Sequence, residues 1–377
     1  MAAESTRVLG VQLRDFRTYA RAEAAIGARL TVVHGANGAG KSNLLEALYL
    51  GCTGRSPRTR NERELIRFGA PAARVLVRYL AAGEPHELAV GFGAGAPGAQ
   101  HVKRMSVDGA PVERLLDLDA RPLVSVFMPE RLELVKGPPA LRRAHLDQVL
   151  AALWPARAAA RTRYARALAQ RNALLGRLRA GAAGADTLQA WDRELADAAL
   201  ELRGNRARAA ELLAAPFAER ANQLGLAGDP ALEYRPRAQA ADVEEYAREL
   251  RERLQRDLER GFTGYGPHRD ELSLLRDRRE LRVYGSQGEQ RVALLSLLLA
   301  ERSVLASQRG RTPLMLLDDV MSELDGSRRE QLSQELSDDG QSVIATTDLS
   351  HVPGAGGEAV TRLRVSAGAI LQEAIAA

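Results

Sequence analysis

The chain is poor in cysteine, in lysine and in aromatic residues, and each shortage narrows its chemistry. A single cysteine, Cys52, excludes an intramolecular disulfide and cannot by itself make a metal centre. No apolar run approaches the length of a membrane span, so no membrane partner is expected. The start, Met1-Ala-Ala-Glu-Ser-Thr-Arg7, lacks the apolar core of a signal peptide, which makes the cytoplasm the expected location. Aromatic residues are 4% of the chain, and no zinc finger, recognition helix or RNP-like aromatic motif is present to read bases. Lysine occurs only at positions 41, 103 and 136 among 53 basic residues.

What is present is ordinary for a globular protein: 45% hydrophobic and 27% charged residues over 377 positions, enough for two or three domains. The net charge of +5 leans towards nucleic acid, but an arginine excess also follows from genome composition, so charge alone does not decide.

Residues 35–43, Gly35-Ala36-Asn37-Gly38-Ala39-Gly40-Lys41-Ser42-Asn43, match the phosphate-binding pattern G-x-x-x-x-G-K-S/T. Gly35, Gly38 and Gly40 let the backbone turn its N–H groups around phosphate oxygens, where a side chain would obstruct them. Lys41 is placed to reach the β- and γ-phosphates of ATP, and Ser42 to ligate Mg²⁺. Leu30–His34 reads as a buried strand and Leu44–Leu50 as an apolar-faced helix, which is the required context for an anion site. A flexible Gly/Ala turn would not need a lysine where arginine is the default cation; the motif needs its compact charge.

Around the loop, Val8–Leu13 reads as a strand and 14–19 as a turn towards the loop strand. Segments 73–80, 86–92 and 101–107 alternate and predict an antiparallel meander beside the nucleotide; 123–127 is a further buried strand. From 138 to 225 the chain is rich in Ala, Leu and Arg, with Tyr164, Leu168, Leu188, Trp191, Leu195 and Leu202 at helical spacing. Gly181–Gly184 divides that stretch into two long helices, an inserted antiparallel arm without sustained heptads. A helix over 241–259, strands over 271–275 and 280–284, a helix over 288–307, a strand over 313–318, a helix over 325–337 and a strand over 341–346 complete the pattern.

Leu314-Met-Leu-Leu-Asp318-Asp319 is an apolar strand ending in two acids, the pattern of a Walker B strand. Asp318 is assigned to the metal and Asp319 to the attacking water; an N-cap pair opening the next helix is the competing reading. Asp319 is one methylene shorter than the usual Glu, which fits slow hydrolysis. Ser286-Gln287-Gly288-Glu289 opens a strong helix whose N–H groups can bind a phosphate, and Ser286 also suits a plain helix cap. With the first loop already holding the phosphates, this turn is free to cap the γ-phosphate of a second subunit.

Together these residues resemble the RecF family of ABC/SMC-type ATPases. The resemblance covers most of the chain: Leu13–Tyr19, the Walker A loop, Val126–Pro138, Arg142–Asp147, Gln170–Asn172, Trp191-Asp192, Gly266-Pro-His-Arg-Asp270, Ser286–Arg291 and Leu317–Asp325. It implies an α/β fold: an ABC/SMC-type ATPase head with mixed β-sheets, assembled from an N-terminal segment, 1–137, and a C-terminal segment, 261–377, with an inserted α-helical arm, 138–260. It further implies a weak, DNA-stimulated ATPase that forms an ATP-dependent homodimer at single-strand gaps or duplex junctions. Such a protein helps the RecO and RecR proteins load RecA, in DNA repair, replication and the SOS response. Ser286, Gln287, Gly288 and Glu289 would then face the partner's Lys41, with Asp325 in the loop between the sites. Gln287 stands where a Gly is usual, and no switch His follows the last strand; Thr346 or Thr347 is expected to contact the γ-phosphate instead, with His351 in a solvent-facing loop.

DNA contacts are expected to be mostly to phosphates, from Arg55, Arg58, Arg60 and Arg63 after the loop helix and Arg161, Arg163 and Arg171 on the arm. Each of them also fits an ordinary solvated surface. A transporter ATPase subunit is disfavoured by the missing switch His, the altered signature and the inserted arm. A chromosome-organising protein of SMC type would need far longer heptad arms.

Overall fold

The computed structural model describes residues 6–93, 102–181, 186–338 and 340–373. The expected break at Gly181–Gly184 and His101 of the meander lie partly or wholly outside them. The chain forms two compact units, one of residues 1–132, 223–225 and 298–377, the other of 133–222 and 226–297. This division gives residues 261–297 to the second unit, whereas the division read from sequence groups them with 298–377.

In the first unit the chain begins with the hairpin β1 (Arg7–Phe16) and β2 (Tyr19–Ala25), then β3 (Leu30–His34) and α1 (Lys41–Thr53). The strands β4 (Ala72–Ala81), β5 (Glu84–Gly93) and β6 (Val102–Val107) are the expected meander, β7 (Ala110–Val112) adds a fourth strand to it, and β8 (Val124–Phe127) follows. The hairpin and meander join in one antiparallel sheet, in the order β2-β1-β4-β5-β6-β7. Its inner face carries Val11, Leu13, Val75, Val77, Leu88 and Val90, all buried against α1. Gly51 makes that approach possible: a Cβ there would lie 2.3 Å from Val77 Cγ2.

The second unit opens with α2 (Glu133–Lys136) and α3 (Pro139–Leu153). Two long helices follow, α4 (Ala159–Arg179) and α5 (Asp186–Gln223), then β9 (Pro230–Arg235), α6 (Val243–Glu252) and α7 (Leu254–Arg260). The stretch from 138 thus gives three helices rather than two, because Trp154-Pro155 ends α3: a proline cannot continue the preceding turn. Helix α4 runs antiparallel to α5, with Arg163 reaching Glu201 at 2.8 Å and Arg171 reaching Asp192 at 2.7 Å. Next come β10 (Glu271–Arg276), β11 (Arg279–Glu280) and α8 (Leu281–Tyr284). The strand expected over 280–284 is therefore almost wholly a helical turn, closed by Gly285 N–H to Leu281 O at 3.0 Å and capped by the Gln290 amide. Strand β9, not expected from the sequence, pairs with β10.

Helix α9 (Gln287–Arg309) leads back to the first unit, where β12 (Leu314–Asp318), α10 (Gly326–Asp338), β13 (Ser342–Thr346), β14 (Thr361–Ser366) and β15 (Ala369–Gln372) complete the fold. The order β15-β14-β3-β13-β12-β8 makes a second six-stranded sheet, parallel except at β15. Its central strands β3, β13 and β12 are buried on both faces, as parallel strands are, whereas β14 and β15 at one edge are partly exposed. Among the described residues no helix is long and apolar enough to cross a membrane.

Candidate nucleotide site

The parallel sheet aligns the carboxyl ends of five strands, the edge at which open α/β sheets bind ligands. The register sets Val33 beside Ala345 and Ala345 beside Asp318, so the loop after β3, Thr347 after β13 and the acid pair after β12 leave from one edge. Pairing of β8 with β12 adds Met128-Pro129-Glu130 to that edge.

The loop 35–40 takes the conformation its glycines permit. Gly38 and Gly40 have φ of 76° and 119°, and a Cβ on Gly35 would lie 2.2 Å from the Val365 carbonyl oxygen. Tyr19, fully buried at the base of the loop, donates to Gly40 O at 2.9 Å. The Lys41 ammonium donates to Gly35 O at 2.8 Å and Ala36 O at 3.0 Å, so it folds back over the loop. Burial lowers the Lys41 pKa, and Asp318 and Asp319 oppose that shift.

Asp318 is 8% exposed and its pKa is raised, first by burial, with a hydrogen bond from Ser42 working against the shift. A serine hydroxyl beside a carboxylate is the hard-oxygen pair Mg²⁺ takes together with nucleotide phosphates, so the residues present fit the ion. Asp319 has φ 51°, a left-handed conformation that aspartate tolerates better than most residues. That turn leaves Asp319 exposed while Asp318 points inward. Thr346 is buried and donates to Asp348 O at 2.9 Å, whereas Thr347 is exposed at the strand end.

One cluster was missed by reading the sequence. Glu46, fully buried on α1, accepts from Arg17 Nε and Nη2 at 2.9 Å each, from Ser56 at 2.6 Å and from Arg58 at 3.3 Å. Arg58 also donates to Asn43 Oδ1 at 3.1 Å and to Glu130 at 3.0 Å. Arg58 is thus committed to the nucleotide loop's own helix, where a DNA contact was expected of it. A lone glutamate at a helical core position was the only signal available in the sequence.

In the second unit, Ser286 and Glu289 form a capping box. Ser286 N–H donates to Glu289 Oε2 at 2.7 Å, and Glu289 N–H to Ser286 Oγ at 3.3 Å. That backbone bond is the largest cause lowering the Glu289 pKa, and Arg276 pairs with the same carboxylate. Ser286, Gln287 and Gly288 remain exposed, and a Cβ on Gly288 would meet nothing within 4 Å. Val283 and Tyr284 beside them are 60% and 63% exposed. Asp325 caps α10 locally, accepting from Arg328 N–H at 3.0 Å.

Arg171, expected on the DNA-facing surface, is 0% exposed. It bonds Asp192, Asp257 and Thr263, each at 2.7 Å. Arg163 pairs with Glu194 and Glu201, Arg161 lies 3.4 Å from Asp147, and Arg55, Arg60 and Arg63 are exposed.

Residues 11–91 match the family described as AAA domain. The chain is 39% identical over 380 residues to the DNA replication and repair protein RecF of Myxococcus xanthus, covering 97% of each chain. The chain belongs to the RecF family. The RecF of Heliobacterium modesticaldum is 37% identical, covering 92% of this chain and 93% of its own. A solved structure of "the recombination mediator protein RecF-ATP in RecFOR pathway" superposes with a TM-score of 0.86 at 27% identity, covering 99% of both chains. The fold is also that of SMC heads: one from Pyrococcus furiosus matches 98% of this chain with a TM-score of 0.57 at 15% identity. RecF membership thus joins an ABC/SMC-type ATPase fold to DNA replication and repair.

Proposed function

We propose that this chain is an ATP-dependent, DNA-binding recombination mediator whose ATP site is shared between two copies. The observation that carries the reading is the convergence of Gly35–Asn43, Asp318-Asp319, Thr347 and Glu130 at one sheet edge. On this reading the functional divisions are the head, 1–137 with 261–377, and the arm, 138–260. Lys41 and the loop amides hold the phosphates, Ser42 and Asp318 hold Mg²⁺, and Asp319 orients water for a slow hydrolysis. Ser286, Gln287, Gly288 and Glu289 with Asp325 of a second copy complete the site. The exposed Val283 and Tyr284 beside the signature turn favour such a second copy.

ATP closes the dimer on DNA at single-strand gaps or duplex junctions, contacts to phosphate coming from Arg55, Arg60 and Arg63, and hydrolysis releases it. The RecFOR pathway named for the ATP-bound RecF structure supports RecO and RecR as partners in loading RecA, in the cytoplasm and within the SOS response. Sedimentation with ATP, with ADP and with Lys41→Arg, with and without gapped DNA, tests the reading. ATP-specific dimers that persist on DNA are expected; a monomer under every condition overturns it.

A further inference from the structure

The antiparallel sheet of the first unit turns a second, unassigned face to solvent. Its register sets Arg21 of β2 opposite Arg14 of β1, Arg14 opposite Arg74 of β4, Arg74 opposite Gly91 of β5, and Gly91 opposite Arg104 of β6. Directly opposed residues share a face, so four arginines stand in one row across five strands. All four are exposed. At a strand spacing of about 4.8 Å the row is about 19 Å long.

This arrangement costs the sheet stability. Like charges directly opposite one another are destabilising, and Arg14 faces an arginine on both sides. Among the described residues Arg14, Arg21 and Arg104 make no ion pair, and Arg74 comes only within 4.0 Å of Glu87. The nearest acid on β2, Glu23, is taken by Arg78 at 2.6 Å. A row of neighbouring cations, three of the four without an ion pair, is what a polyanion would neutralise.

We infer that this row is a docking ladder for the sugar–phosphate backbone of duplex DNA; the inference rests on the DNA-binding reading above and adds a surface to it. The adjoining row on the same face is Glu23, Gln12, Leu76, Ala89 and Ser106, with no aromatic ring. Single-strand platforms stack bases on such rings, and neither row carries one. A duplex instead presents a phosphate charge every ~1.7 Å of its axis, about eleven along the row. Guanidinium forks on a rigid sheet suit those oxygens and carry no base information.

The test compares the parent, Arg14→Gln/Arg74→Gln and Arg14→Lys/Arg74→Lys, with ATP present, on a 30-base-pair duplex and a 30-nucleotide single strand, from 50 to 200 mM salt. Two lost phosphate contacts lower the slope of log K against log salt by about 1.8 on the duplex. The lysine variant keeps the parent slope, and ATP binding is unchanged in both. An unchanged slope in the glutamine variant, with a parent that binds duplex, overturns the ladder and leaves the DNA-binding reading standing. An equal loss of slope on the single strand overturns the duplex assignment, and a parent that binds neither DNA overturns both readings.

Discussion

Arg17 grips Glu46 with two hydrogen bonds of 2.9 Å, and the Glu46 carboxylate is wholly removed from solvent. The pair ties the turn of the first hairpin to the helix that follows the phosphate loop. Because Arg58 and Ser56 share the same carboxylate, one buried charge organises three segments beside the Gly35–Asn43 loop.

Removing Glu46 leaves Arg17 and Arg58 without their acid. Breaking one side of a buried pair costs about 3–5 kcal/mol. Glu46→Ala should therefore unfold at clearly lower urea, with ATP binding weakened because Asn43 loses the Arg58 that is anchored beside it.

Asp318 gives a pH dependence of definite sign. Burial raises its pKa in the folded state, so the protein binds a proton more readily than its unfolded chain does. The favourable contribution is present below the unfolded carboxylate value and is lost as pH rises through the raised folded value; at neutral pH the ionised, metal-free carboxylate is a penalty. Asp318→Asn should raise the melting temperature of the nucleotide-free protein at pH 7 and abolish Mg²⁺-dependent hydrolysis. The gain in stability should shrink as pH is lowered through that value, as melting curves across pH would record.

Cys52 is fully buried on α1 and burial pushes its thiol up to about 12. Thiol reagents react with the thiolate, so labelling of the folded protein at pH 8 should be slow and should follow global unfolding in denaturant. Rapid labelling without denaturant would contradict the packing of α1 between the two sheets.

Arg171 of α4 is held by Asp192 of α5 and Asp257 of α7, tying the helices of the second unit together. Arg171→Ala strands both acids in the interior and should destabilise the second unit by about 3 kcal/mol or more. Arg163→Ala, which removes only surface pairs, should cost under about 1 kcal/mol by the same chemical-denaturation measurement.

The sequence by itself determined the local chemistry. A Gly-rich turn with a lysine between an apolar strand and a helix carries the pattern of an anion site, and an apolar strand ending in Asp318-Asp319 marks itself by composition. Helical spacing likewise revealed the arm and alternation the meander, since both depend on neighbours along the chain. What only the tertiary structure decided were the partners of charged residues, because a guanidinium reads the same in sequence whether it meets water, phosphate or a buried carboxylate. Arg171 and Arg58 looked like surface cations and are structural ion pairs. Arg14, Arg21, Arg74 and Arg104 lie far apart along the chain, and strand register alone brings them into one row.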